Sequence, residues 1–191
     1  FSAIVPQLFR NDSGGVTSEV SFSASRDSRD NRITPTSGNF NAVTTEFSGK
    51  KLGGDNDYFR VVGSSRWYYP LGKGFVAKAN GRIGYIKSLN NQVVPLYERY
   101  FLGGVNSLRG YYPFSVGPKM RIPGTPTGGD GEFGYGGDKE LLFNAEIEVP
   151  IYRTGGFNGV VFFDAGNAFA ENQNYSITDI RMDYGFGLRW N

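Results

Sequence analysis

The side chains able to do chemistry in this sequence are carboxylates, guanidiniums, amines and hydroxyls, because it contains neither histidine nor cysteine. That excludes serine–histidine and cysteine–histidine nucleophiles, thiolate chemistry and the usual zinc sites. Glu19, Asp27 and Asp30 lie near one another in the chain, but nothing in the pattern desolvates or orients them as an acid–base pair. The "GGDGE" run around Asp130 has the flavour of a calcium turn but not the full ligand spacing, so a solvated turn is expected, with no metal and no cofactor. Arg109 sits in "SLRGYY", which in isolation reads as a surface turn with a solvated arginine. Glu146 and Asp164 differ from the other acids because each falls inside a segment of alternating polarity. Taken singly, each still reads as a carboxylate wetted by water.

The elements that must position these groups are strands. In "LLFNAEIEVPIY", Phe143, Ala145, Ile147 and Val149 alternate with Asn144, Glu146 and Glu148. In "GVVFFDAGNAF", Val161, Phe163 and Ala165 lie opposite Phe162, Asp164 and Gly166. In "IRMDYGFGLRW", Met182, Tyr184, Phe186, Leu188 and Trp190 lie opposite Arg181, Asp183, Gly185, Gly187 and Arg189. Period two of this kind gives each strand an apolar and a polar face, and about ten residues can cross a membrane when tilted. "GFVAKANGRIGYI" and "DYFRVVGSSRWYYPL" repeat the rule, and "NFNAVTTEFSG" and "SEVSFSASRDSRD" follow it more weakly. Turn-forming clusters such as "TPTSGN", "LGGDND" and "RTGGFN" separate the segments.

The composition agrees, with 28 glycines among 191 residues and 16 phenylalanines and 12 tyrosines favouring an aromatic all-β protein. Mean hydropathy is −0.37, which a barrel reaches by averaging a lipid face against a watery interior. There is no apolar run long enough for a transmembrane helix and no signal peptide at the first residue. A soluble sandwich would also alternate, but here glycine and charge occupy mid-strand polar positions while aromatic residues gather toward strand ends, as in membrane girdles. The net charge of +2, carried by scattered basic residues, argues against nucleic acid. The expected fold is therefore all-β, an antiparallel transmembrane β-barrel of outer-membrane type. One glycine- and proline-rich stretch, residues 101–138, is far longer than a hairpin needs.

That stretch carries the most specific signal. "ERYFLGGVNSLRGYYPFSVGPK" resembles the sixth extracellular loop of BamA-type outer-membrane assembly proteins, whose hallmark V/L-R-G-F/Y stands here as Leu108, Arg109, Gly110 and Tyr111. "SRDSRDNRITPTSGNF", "LGGDNDYFRV", "WYYPLG", "NAEIEVPIY", "VFFDAGNAF" and "YGFGLRW" are similar to that family in the same order.

The resemblance implies that the loop folds into the barrel lumen and that Arg109 pairs there with Glu146 and Asp164. The strand pattern independently puts both carboxylates on the polar side. Guanidinium is always charged and forks onto carboxylates, so arginine suits such a latch. Gly103, Gly104 and Gly110 would allow a tight path close to the wall. The implied role is insertion and folding of β-barrel proteins into the outer membrane of a Gram-negative bacterium, without catalysis. Its partners would be unfolded β-barrel proteins, the lipid bilayer and, through POTRA modules, assembly-complex lipoproteins. Against that family pattern the chain is expected to be one partial barrel domain, residues 1–191, of about seven strands out of about sixteen. POTRA modules and the seam strands are expected to lie outside it, and open edges are expected to be covered by other chains. The alternatives are a two-partner secretion polypeptide transporter, which shares the arginine loop, or a passive porin.

Overall fold

The computed structural model describes residues 16–90, 93–121, 132–152 and 155–190. The expected turn around Asp130, and part of the 101–138 loop, lie outside the described residues. Seven strands make the wall: β1 (Glu19–Asp27), β2 (Gly38–Ser48), β3 (Tyr58–Gly72), β4 (Phe75–Ser88), β7 (Lys139–Tyr152), β8 (Phe157–Phe169) and β9 (Arg181–Trp190). They form one sheet in the order β1-β2-β3-β4-β7-β8-β9 with every neighbouring pair antiparallel. The sheet does not close among the described residues, as befits part of a barrel. At 9 to 15 residues, the strands have the length a tilted membrane crossing requires.

The alternation sorts the two faces as the residue types demand. On β9, Tyr184 and Phe186 are 87% and 89% exposed, and Val161, Phe143, Ile83 and Trp67 share that outer face on other strands. The inner face carries the charge: Glu146, Glu148 and Asp164 are turned away from the outside, and Asp164 is fully buried. Apolar packing on the inside is local. Leu102, Leu108, Val116 and Leu142 form one buried cluster with Tyr111 against it, and Tyr58, Ile86 and Val94 form another beside Tyr100.

The connections differ between the two ends of the wall. At one end β3 and β4 are joined by Lys73–Gly74 alone, with Gly72, Lys73 and Gly74 all at positive φ, residues 153–156 join β7 to β8, and residues 28–37 join β1 to β2. At the opposite end lie residues 49–57 and 170–180 and the described residues of the 89–138 connection. In outer-membrane barrels the shorter turns face the periplasm. The long connection is not structureless. It contains a two-stranded ladder of β5 (Lys119–Arg121) and β6 (Glu132–Gly134), and isolated bridges pair Tyr100 with Gly137 and Leu102 with Val116. Its glycine and proline content hid these pairings at the level of sequence.

Candidate functional site

The loop reaches the inner face through a turn that only particular residues permit. Gly103 and Gly104 have φ of 108° and 89°, and a Cβ on Gly103 would lie 2.2 Å from the Tyr112 carbonyl oxygen. A side chain at either position would be strained, and at Gly103 it would also collide with backbone. The Gly103 amide donates to Ser107 Oγ at 2.8 Å, and the Gly104 amide is shared between the carbonyls of Leu108 and Tyr111 at 3.0 and 2.9 Å. Leu108, fully buried against Leu142 of β7 and against Leu102 and Val116, anchors the turn to the wall. Tyr111 completes the anchor on the far side, its hydroxyl donating to the Met182 carbonyl at 3.3 Å.

Arg109 is thereby aimed at β7 and β8. Its Nε and Nη2 donate to Asp164 Oδ2 and Oδ1 at 2.8 and 2.7 Å, a bidentate fork, and its backbone amide adds a third bond to Oδ2 at 3.1 Å. Nη1 donates to Glu146 Oε2 at 2.8 Å. The guanidinium also sits 3.7 Å above the ring centroid of Phe162, a cation–π contact on the same inner face. Asn144, cross-strand from Asp164, donates through Nδ2 to Asp164 Oδ1 at 2.8 Å and to the Ser107 carbonyl at 2.7 Å. A fully buried carboxylate is costly unless its lone pairs are used, and here four donors use them.

Other polar residues join this centre whose roles the sequence did not disclose. Arg189 of β9 pairs with Glu146 and donates to Glu148 Oε2 at 2.9 Å, and Lys78 of β4 reaches the same Glu148 oxygen at 2.5 Å. Charge therefore alternates along a continuous chain from Asp164 through Arg109, Glu146, Arg189 and Glu148 to Lys78. Asp183, the ladder partner of Asp164, is half-buried and packs against Gly110 with its carboxyl oxygens shielded from solvent, and a Cβ on Gly110 would lie 2.7 Å from Asp183 Cβ. Neither Asp183 carboxyl oxygen has a hydrogen-bond partner of ordinary geometry among the described residues. Arg189 and Asp183 stand on the polar side of the β9 alternation, so their face was readable. Which neighbour each would meet depends on strand register, which one sequence does not reveal.

The roots of the loop are pinned separately. Arg60 of β3 donates to Glu46 of β2 at 2.7 Å and pairs with Glu98, just before the loop. Arg99 faces Asp138 at 3.6 Å where the chain re-enters β7, and burial pushes the Asp138 carboxyl up despite that arginine. Among the described residues no group of three or more potential metal ligands is found. The site is a set of ion pairs that holds a loop against a wall.

An antiparallel wall with an apolar outer face, a charged inner face and a loop docked inside defines a segment of a transmembrane β-barrel of outer-membrane type. Residues 9–191 match the model of the Omp85 superfamily domain, and the chain belongs to that superfamily of outer-membrane proteins. It is 29% identical over 166 residues to the outer membrane protein assembly factor BamA of Nitratidesulfovibrio vulgaris, covering 86% of this chain and 20% of that protein. A SAM50-like protein of Schizosaccharomyces pombe is 30% identical over 135 residues, covering 69% of this chain and 26% of the relative. The fold is similar to the crystal structure of BamA from Haemophilus ducreyi lacking POTRA domains 1–3, with a TM-score of 0.74 at 23% identity over 90% of this chain and 36% of that one. The chain thus spans between 15% and 40% of the length of these curated relatives. The alternation, the antiparallel barrel wall and the family resemblance met in the sequence agree with these findings.

Proposed function

We propose that this chain is the latch-bearing wall of an outer-membrane protein assembly factor, a machine that inserts and folds β-barrel proteins in the bilayer without covalent chemistry. The observation that carries this reading is the docking of Arg109 on Asp164 and Glu146 by four hydrogen bonds, within a chain whose bacterial and eukaryotic relatives are named as assembly factors and SAM50-like proteins.

In this role residues 101–138 form an extracellular loop that folds into the lumen. Leu108, Arg109, Gly110 and Tyr111 are the latch, Glu146 and Asp164 its seat, and Gly103 and Gly104 the turn that delivers it. The latch steadies one wall of the barrel while incoming strands satisfy their backbone hydrogen bonds elsewhere on the sheet. Its clients are unfolded outer-membrane β-barrel proteins, and accessory lipoproteins would act through POTRA modules.

The test is a reconstituted assembly assay with the full-length protein, in which a urea-unfolded barrel substrate is offered to proteoliposomes. Arg109→Ala is expected to slow the appearance of folded, heat-modifiable substrate, with Arg109→Lys intermediate because it keeps the charge but loses the fork. Unchanged rates in Arg109→Ala would remove the latch role. Export of a dedicated polypeptide without any client folding would favour the transporter reading instead.

A further inference from the structure

A second polar cluster lies on the opposite face, where the alternation directs side chains at lipid. Arg26, Asn41, Ser65, Gly81 and Phe143 are successive ladder partners across β1, β2, β3, β4 and β7. Ser65 Oγ donates to Asn41 Oδ1 at 2.6 Å, Asn41 Nδ2 to Asn39 Oδ1 at 2.8 Å, and Trp67 Nε1 to Ser65 Oγ at 2.7 Å. Two amides, a hydroxyl and an indole N–H on a lipid face are costly, and a bonded chain of them reduces but does not cancel that cost. Arg26 is exposed and has no ion-pair partner among the described residues.

Next to this row the outer face is hollow. A groove of about 850 Å³ is walled by Val43, Ile83 and Phe143 and floored by Ala24, Gly63 and Gly81. A Cβ on Gly81 would meet nothing within 4 Å, so neighbouring side chains do not fill the space that its glycine leaves.

The row also has a direction. Arg26 is the penultimate residue of β1, at the periplasmic end, whereas Phe143 is near the outer end of β7. Four strand spacings of about 4.8 Å make the row about 19 Å long. With strands tilted by about 40°, it climbs about 12 Å along the membrane normal, near the depth of one leaflet of a hydrocarbon core about 30 Å thick. Charge comes first, then amide and hydroxyl groups, then apolar groove, which is the order of phosphate, glycerol ester and acyl chain in a phospholipid.

We propose that this face binds one glycerophospholipid of the periplasmic leaflet. Arg26 takes the phosphate, the bonded chain Asn39–Asn41–Ser65–Trp67 takes the ester region, and the groove over Gly63 and Gly81 takes an acyl chain. Guanidinium forks onto phosphate, and an indole at the interface is at home beside ester groups.

Native mass spectrometry of the full-length protein tests this, using phosphatidylglycerol and a diacylglycerol of the same chains as probes. The wild-type protein is expected to retain one phosphatidylglycerol and to hold the diacylglycerol about tenfold more weakly. Arg26→Gln should weaken phosphatidylglycerol retention about tenfold and leave the diacylglycerol unchanged. Gly81→Leu, whose Cβ would meet nothing within 4 Å, should weaken both by occupying the groove, and heat-modifiable mobility checks that each variant is folded. Equal retention of the two probes by the wild type, no retention of either, or phosphatidylglycerol bound undiminished by both variants would overturn the proposal. So would a photo-crosslink from position 81 to another protein in native membranes in place of lipid.

Discussion

Arg109, Glu146 and Asp164 concentrate the energetic consequences of single substitutions. Replacing Arg109 by alanine leaves the fully buried Asp164 carboxylate with Asn144 as its remaining side-chain donor. Breaking one side of a buried pair costs about 3–5 kcal/mol, so Arg109→Ala is expected to lower the temperature at which the full-length barrel loses its compact mobility in unheated gels. Asp183 points the other way. Its carboxyl faces Asp164 across the ladder without an ordinary hydrogen-bond partner among the described residues, and an unsatisfied buried group costs about 1–3 kcal/mol. Asp183→Asn keeps the shape and removes the charge, so the same gel transition should rise or stay level, and a fall would show that the charge itself is needed. The side on which Glu146 and Asp164 stand was legible because period two fixes a side for every strand residue, whereas Arg109 was singled out by the resemblance of its loop motif and not by any spacing. Phe162 was placed on the correct face, but its stacking beneath Arg109 depends on how deeply the loop enters, which no spacing encodes.

At the level of elements, the contact between loop and β9 is set by the lack of a side chain. With Asp183 Cβ only 2.7 Å from where a Cβ on Gly110 would stand, Gly110→Ala should displace the turn and weaken Arg109 docking as measured by protease protection of the loop. The double variant Gly110→Ala/Asp183→Gly should recover protection, since it removes the colliding atom. On the periplasmic side, the connection between β1 and β2 is organised by Asp30, which accepts from the Thr36 hydroxyl at 2.5 Å and from the amides of Asn31, Thr36 and Ser37. Those bonds, the Thr36 hydroxyl foremost, hold its carboxyl well below the usual range. A depressed carboxylate contributes order that is fully present above the ordinary carboxylate pKa and is lost as pH falls through the native value. The protection factors of the Thr36 and Ser37 amides, exchange rates relative to the unstructured rate at the same pH, should therefore hold from neutral pH down into the ordinary carboxylate range and fall only below it, whereas Asp30→Asn should lower them at neutral pH. The seven wall strands were readable from alternation. The β5–β6 ladder was not, because three-residue strands offer too few positions to show a period and glycine and proline dominate their surroundings.

At the scale of the whole molecule, among the described residues the wall has a neighbour on only one side of β1 and one side of β9. Unpaired backbone groups in lipid are costly, so the 191-residue segment expressed alone is expected to be polydisperse in detergent by light scattering. A monodisperse monomer with heat-modifiable mobility would contradict this. The shared carboxylate Glu146 adds a constraint on how the wall can move. It accepts from Arg109 of the loop and from Arg189 of β9. A slip of β9 by one residue would send Tyr184 and Phe186 inward and Arg189 into lipid, while a slip by two would carry Arg189 about 6.8 Å along the strand, beyond the reach of that carboxylate. Glu146 therefore works as a vernier mark: the loop is fully seated at only one setting of β9, and shear along that strand would be felt at Arg109 some distance from where it was applied.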